Sequence, residues 1–230
     1  AKHRGAARAL AMLYLTGASS FAGTLNISNA GAVGYRSDSK QDLGRVALIG
    51  NGTLGSVSTI NIAADNNLII DARAGGYALN RINDSAAINM TSATLILYGS
   101  NSASEPVTEN LGIVTLQTGL NSIQAIKGTG GANADITIAS LVNNNNGLLN
   151  FAGTTGRIFI SDRANGDNLP GWMRNSTNFL TYSTSTGAVT TATYNTSLDM
   201  NTWLSTNVST QGTATNPSAN VTAWSLRVTG

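Results

Sequence analysis

The chain has 230 residues, of which 41% are hydrophobic and 10% charged, with a formal net charge of +2. Charged residues make up about a quarter of an ordinary globular domain, so Asn, Ser, Thr and Gly must cover this surface, while the hydrophobic content and small net charge exclude a disordered chain. The absence of cysteine excludes disulfides, thiolate metal sites and a Cys nucleophile, and 13 basic against 11 acidic residues are far from the dense basic footprint of a nucleic-acid binder.

The chain opens with Lys2, His3, Arg4 and Arg8 ahead of the apolar run Ala9–Leu15. That order resembles a signal peptide in outline, but the run is short, and residues 1–16 read better as a segment capping the first layer of the fold. No apolar stretch approaches the ~20 residues that a membrane-spanning helix needs.

Strands are predicted at Thr24–Ile27 and Val33–Tyr35, with an exposed charged loop at Asp38–Gly44. Further runs follow at Val46–Ile49, Val57–Ile62 and Leu68–Asp71, with Asn51–Gly52 as a turn and Asn66–Asn67 and Gly75–Gly76 as corners. From Ile88 to Asp162 the pattern is densest: Thr94–Tyr98, Gly112–Gln117, Ser122–Ile126, Asp135–Ala139, Leu148–Phe151 and Arg157–Ser161, separated by little but Gly, Asn, Ser and Thr. The alternation in STINI, TLILY, DITIA and RIFIS puts one face inside and one outside. Each run is too short to bury a core alone, whereas stacked runs share one. That is the logic of a β-solenoid. The run Asn143–Asn146 would compete with a helical backbone for hydrogen bonds and belongs at a β-arc.

Pro170 and its Gly, Asp and Asn neighbours break the pattern at Ala164–Trp172. Beyond it, Phe179–Ser183 and Ala188–Tyr194 read as a hairpin across Thr184–Gly187, and Ser205–Ala219 as a loop. Val221–Thr229 returns to solenoid character. The division expected is a cap at 1–16, a β-solenoid at 17–165, an inserted or capping β module at 166–219, and a returning strand at 220–230 that forms an assembly end. The two ends also rhyme, since Leu13–Gly17 is LYLTG and Leu226–Gly230 is LRVTG, an offset of 226 − 13 = 213 residues.

Few groups here suit catalysis. His3 is the only histidine, so a Ser-His-Asp triad or a His-based metal site would have to use it. Paired carboxylates are the enzymatic option, from Asp65, Asp71, Asp84, Glu105, Glu109, Asp162 and Asp167. Glu105 and Glu109 lie in SASEPVTEN and read as solvated loop charges. Asp162–Asn168 groups oxygen ligands around a Gly but lacks the register of a calcium loop, so a turn with Asp and Asn bonding their own backbone is expected. Gly128–Asp135 (GTGGANAD) is no phosphate loop, because a strand follows it where a helix would be needed. Asn-X-Ser/Thr triplets at Asn26, Asn51, Asn83, Asn89, Asn175, Asn195, Asn207 and Asn220 arise largely from composition. Rows of outward Thr suit ice or sugar, and are equally the default of a strand. No catalytic, cofactor-binding or metal-ligating residue is assigned, and no cofactor is expected.

The stretches GNGTLGSVSTINIAADNNLIID, LNRINDSAAINMTSATLILYGS, VTENLGIVTLQTGLNSIQAI and ASLVNNNNGLLNFAG, in that order, resemble autotransporter-associated β-strand repeat proteins. NLPGWM, NFLTYSTSTGAVTTATYNTSL and NVTAWSLRVTG are similar to the spacer of the large planctomycete and verrucomicrobial members, though richer in Thr and Asn. The resemblance runs from about Gly17 onward. It implies a right-handed parallel β-helix in a secreted or surface-displayed stalk, adhesin or envelope protein, and it offers no catalytic motif.

The expectation is a non-enzymatic structural protein outside the cell or on a bacterial surface. Its partners would be copies of itself, stacked head-to-tail, and possibly surface glycans, with no nucleic acid and no membrane span. The alternatives are a carbohydrate-binding or polysaccharide-degrading β-helix and a β-sandwich pilin-like subunit completed by a neighbour's strand.

Overall fold

A computed structural model of the chain describes residues 12–28, 44–73, 79–151, 154–176, 178–184 and 186, together with the backbone of strands at 188–191, 194–195, 206–210 and 223–228. Among the described residues every regular element is a strand. The strands expected at Val33–Tyr35, the loop at 38–43, the corner at Gly75–Gly76 and the basic start with His3 lie outside the described residues.

Successive strands alternate between two parallel sheets. The first holds β1 (Met12–Leu15), β3 (Arg45–Ile49), β5 (Asn67–Asp71), β7 (Thr94–Tyr98), β9 (Leu120–Ile126), β11 (Leu148–Asn150) and β13 (Met173–Arg174), in that order. The second holds β2 (Thr24–Ile27), β4 (Thr59–Ile62), β6 (Ala87–Met90), β8 (Val107–Leu116), β10 (Ala134–Asn143) and β12 (Arg157–Ile160). One strand in each sheet makes a layer, and each layer lies in register on the one before. This arrangement is compatible with a parallel β-helix.

Register follows chemistry. Val46, Leu68, Leu95 and Ile123 form one inward column of the first sheet, and Leu48, Ile70, Leu97 and Ala125 the next. In the second sheet Ile60 lies on Ile88 and Ile62 on Met90. All of these residues are buried and belong to a single apolar cluster. Each fully buried aliphatic side chain contributes roughly 1.5–3 kcal/mol, and none does so without the layer above and below it.

Strands β8 and β10 are longer than the sequence suggests, because each turns a corner without leaving extended geometry. The second half of β8 pairs with β6 (Ile88 with Val114), while its first half runs beneath Ile136 and Ile138 of β10. Isolated parallel bridges at Leu54–Ile82 and Ala18–Thr53 pair further segments outside the named strands. Gly112 sits at the corner, where a Cβ would lie 2.7 Å from the carbonyl oxygens of both Asp84 and Ala86. Only glycine lets the two layers approach so closely there.

Beyond β13 the order changes. Strands β14 (Leu180–Ser183) and β15 (Ala188–Thr191) form the expected antiparallel hairpin. The stretch read as a loop contains β17 (Thr206–Thr210), which pairs in parallel with β16 (Tyr194–Asn195) and β18 (Ala223–Val228). The returning strand thus belongs to a sheet of its own, distinct from the two layered sheets.

Candidate functional site

Three groupings of ionisable side chains fall at layer contacts. The most buried centres on Glu109, the third residue of β8. In VTENLG the inward parity of Val107 and Leu111 carries Glu109 inward with them, and its side chain is 1% exposed. The expectation of a solvated loop charge is therefore wrong. Its Oε2 accepts the Arg81 N–H at 2.8 Å and its Oε1 the Ile82 N–H at 2.7 Å, so one carboxylate closes two backbone donors of the layer below.

Arg81 is fully buried beside it. Its Nη1 donates to the Leu48 and Asp71 carbonyl oxygens, each at 2.9 Å. Burial lowers the guanidinium below its ordinary pKa, opposed by the charges of Glu109 and Asp71. Burial also pushes the Glu109 carboxyl from 4.5 up to about 7, against the pull of the two N–H groups and the Arg81 charge. A carboxylate on β8 and a guanidinium thus tie the 81–82 segment to the backbones of β3 and β5 across the interior. Sequence reasoning passed over Arg81. The inward parity of Glu109 was a readable signal.

The second grouping is Asp71, Arg73 and Tyr98. Arg73 Nη2 meets Asp71 Oδ2 at 2.7 Å, and its guanidinium carbon lies 3.7 Å from the centre of the Tyr98 ring on the next layer. Burial works against ionised Asp71, but the Arg73 hydrogen bonds hold its carboxyl below 3.8. The third is Asp135 with Arg157, register partners on β10 and β12, where Arg157 Nε donates to Asp135 Oδ1 at 2.8 Å and Nη2 pairs with Oδ2.

The remaining acids do not join these groups. Asp65 is exposed in a turn at φ 62°, and Asp84 is exposed in the turn before β6. Glu105 accepts the Ser100 hydroxyl at 2.6 Å. In the Asp162–Asn168 segment, Asp167 Oδ2 accepts the Ala164 N–H at 2.8 Å, as expected of a self-bonded turn, whereas Asp162 Oδ2 accepts the Ser140 hydroxyl and Asn165 Oδ1 the Thr184 N–H, each at 3.1 Å and from another segment. Among the described residues no three His, Cys, Asp or Glu side chains converge as a metal would require. No described helix is long and apolar enough to cross a membrane.

Asparagine has two uses. On the outer face of the second sheet Asn26, Asn61 and Asn89 form a ladder, each amide donating to the one below at 2.8 Å. At corners the residue is internal: fully buried Asn66 donates to the Ala63 and Ala64 carbonyls, and Asn121 accepts the Ala93 N–H at 3.1 Å. The Asn143–Asn146 run forms the corner expected, with Asn143 bonding both the N–H and the C=O of Gly147 at 2.9 Å. The glycosylation triplets at Asn26 and Asn89 lie within the ladder, and Asn83 is tied to Val57 and Ser85; Asn51 stands exposed in its turn. On the outer face of the second sheet Thr24 stacks on Thr59, and Ala87 ends that row.

These features define an all-β protein of layered parallel strands whose internal charges brace one layer against the next. No protein-family model matches the chain, and no curated protein or solved structure is similar to it.

Proposed function

We propose that the protein is a non-catalytic structural element outside the cell: a right-handed parallel β-helix that builds a surface stalk, adhesin or filament, with copies stacked head-to-tail. The observation that carries this reading is the in-register stacking of like residues in both sheets around one core, which makes each layer dependent on its neighbours alone. Such a body gains length without redesign. The fate of the acids supports the same reading. Glu109, Asp71 and Asp135 are engaged in holding backbone or guanidinium groups, so they act as braces. A surface of Asn, Ser and Thr with 10% charge fits an extracellular setting.

Negative-stain microscopy and diffraction from oriented samples test the proposal. Elongated particles with a repeat of ~4.8 Å along the long axis are expected. Dispersed, round particles at high concentration would overturn it. So would release of reducing sugar from a polysaccharide, lost on replacing the acids.

A further inference from the structure

The two ends of the layered core are finished differently. At the far end Leu169, Met173, Leu180 and Tyr182 close over the core, and the Tyr182 hydroxyl accepts the Ile160 N–H at 3.0 Å. At the near end β1 is the last strand of its sheet. Leu13 and Leu15 sit in register with Val46 and Leu48, so they head the two inward columns. Leu13 is nonetheless 52% exposed and its neighbour Tyr14 54% exposed. A cavity of about 300 Å³ opens beside them, lined by Leu13, Ile27, Arg45 and Val46 among others. Among the described residues no strand lies beyond β1 to continue these columns.

The chain carries a matching segment. Within the layers, like stacks on like: Leu68 on Leu95, Ile60 on Ile88, Asn61 on Asn89. LYLTG in and after β1 has its counterpart in LRVTG, most of which is β18. Among the described residues β18 is itself an edge, paired in parallel with β17 on one side. Two parallel edges of the same sequence type within one chain make a heterologous contact, which propagates when it does not close.

We propose that β1 of one copy pairs in parallel with the open side of β18 of a second copy, with Leu13 opposite Leu226, Tyr14 opposite Arg227 and Leu15 opposite Val228. This rests on the head-to-tail reading and adds to it the strands and the register. In that register the backbone of β18 adds one parallel strand beyond β1, at the end of the sheet where Leu13 is half-exposed. Tyr14 and Arg227 then hold the same register position, so a thiol at each reports the pairing directly.

The chain has no cysteine, so engineered thiols report cleanly. In-register residues on neighbouring strands lie ~4.8 Å apart, within disulfide reach. The double variant Tyr14→Cys/Arg227→Cys, oxidised mildly, is expected to give a ladder of linked multimers. Tyr14→Cys/Leu226→Cys, one residue out of register and on opposite faces, and Tyr14→Cys/Asn165→Cys, using an exposed turn, are expected to remain largely unlinked. Leu13→Lys, with circular dichroism as the check that it folds, is expected to shift sedimentation towards monomer. Multimers in the native chain without the 14–227 link would overturn this register and leave head-to-tail stacking in place. A native chain that sediments only as monomer would overturn both.

Discussion

Glu109 loses its proton near 4.5 in an unfolded chain and near 7 in the folded one. Between those values the folded protein binds more protons than the unfolded, so its stability falls as pH rises from 4.5 to 7. The contribution is complete below 4.5 and gone above 7. Glu109→Gln removes the titration, and it turns an NH2 donor, where one carboxylate oxygen had accepted, towards the Arg81 or Ile82 N–H. Urea unfolding at pH 4.5, 5.5 and 7 is expected to show a slope in the native protein that the variant lacks. Equal slopes would mean that Glu109 is not the titrating group. The acid was visible in the sequence but not its burial. A single Glu among polar neighbours looks solvated until the parity of Val107 and Leu111 is weighed above its charge. Arg81 gave no such signal, because its guanidinium is placed by carbonyls of two other layers.

At the level of elements, the strands were legible wherever apolar and polar residues alternate. Thr94–Tyr98 and Thr24–Ile27 fall where expected, and so does the hairpin of Leu180–Ser183 with Ala188–Thr191. Strand β8 was half missed, because Glu109 and Gly112 break its apolar rhythm. Gly112 is the price of turning that corner. Gly112→Ala would press a methyl into the Asp84 and Ala86 carbonyls, and overpacking of this kind costs about 1–3 kcal/mol. A fall in Tm of roughly 2–4 °C per kcal/mol is expected, and an unchanged Tm would show that the corner yields. The asparagine ladder is a milder test. Asn61 both donates to Asn26 and accepts from Asn89, so Asn61→Ala is expected to cost about 1–3 kcal/mol at roughly 0.5–1.5 kcal/mol per hydrogen bond. Asn26→Ala, at the ladder's end, should cost about half as much in the same thermal assay.

Across the whole molecule, stability is shared between nearest layers, so damage at one end should stay there. Tyr182→Phe leaves the buried Ile160 N–H without its acceptor, at about 1–3 kcal/mol. Amide exchange is expected to quicken in β12 and β14 while β5 and β7 keep their protection. Loss of protection throughout would show that the layers unfold as one unit. The layer spacing is also a whole-molecule fact. It is 28 residues from Thr94 to Ser122 and again from Ser122 to Asn150, but 22 from Arg45 to Asn67 and 35 from Thr24 to Thr59. Corner loops of unequal length hide the period from a reader of the sequence.

By itself the sequence determined that the chain is built of short strands with one apolar face, separated by Gly and Asn corners, because alternation and turn chemistry are local properties. Only the tertiary structure decided which strands share a sheet, that β18 lies apart from the layers it resembles, and that Glu109 and Arg81 are internal. Register joins residues some 22 to 35 positions apart, and no local rule reaches that far when loop lengths vary.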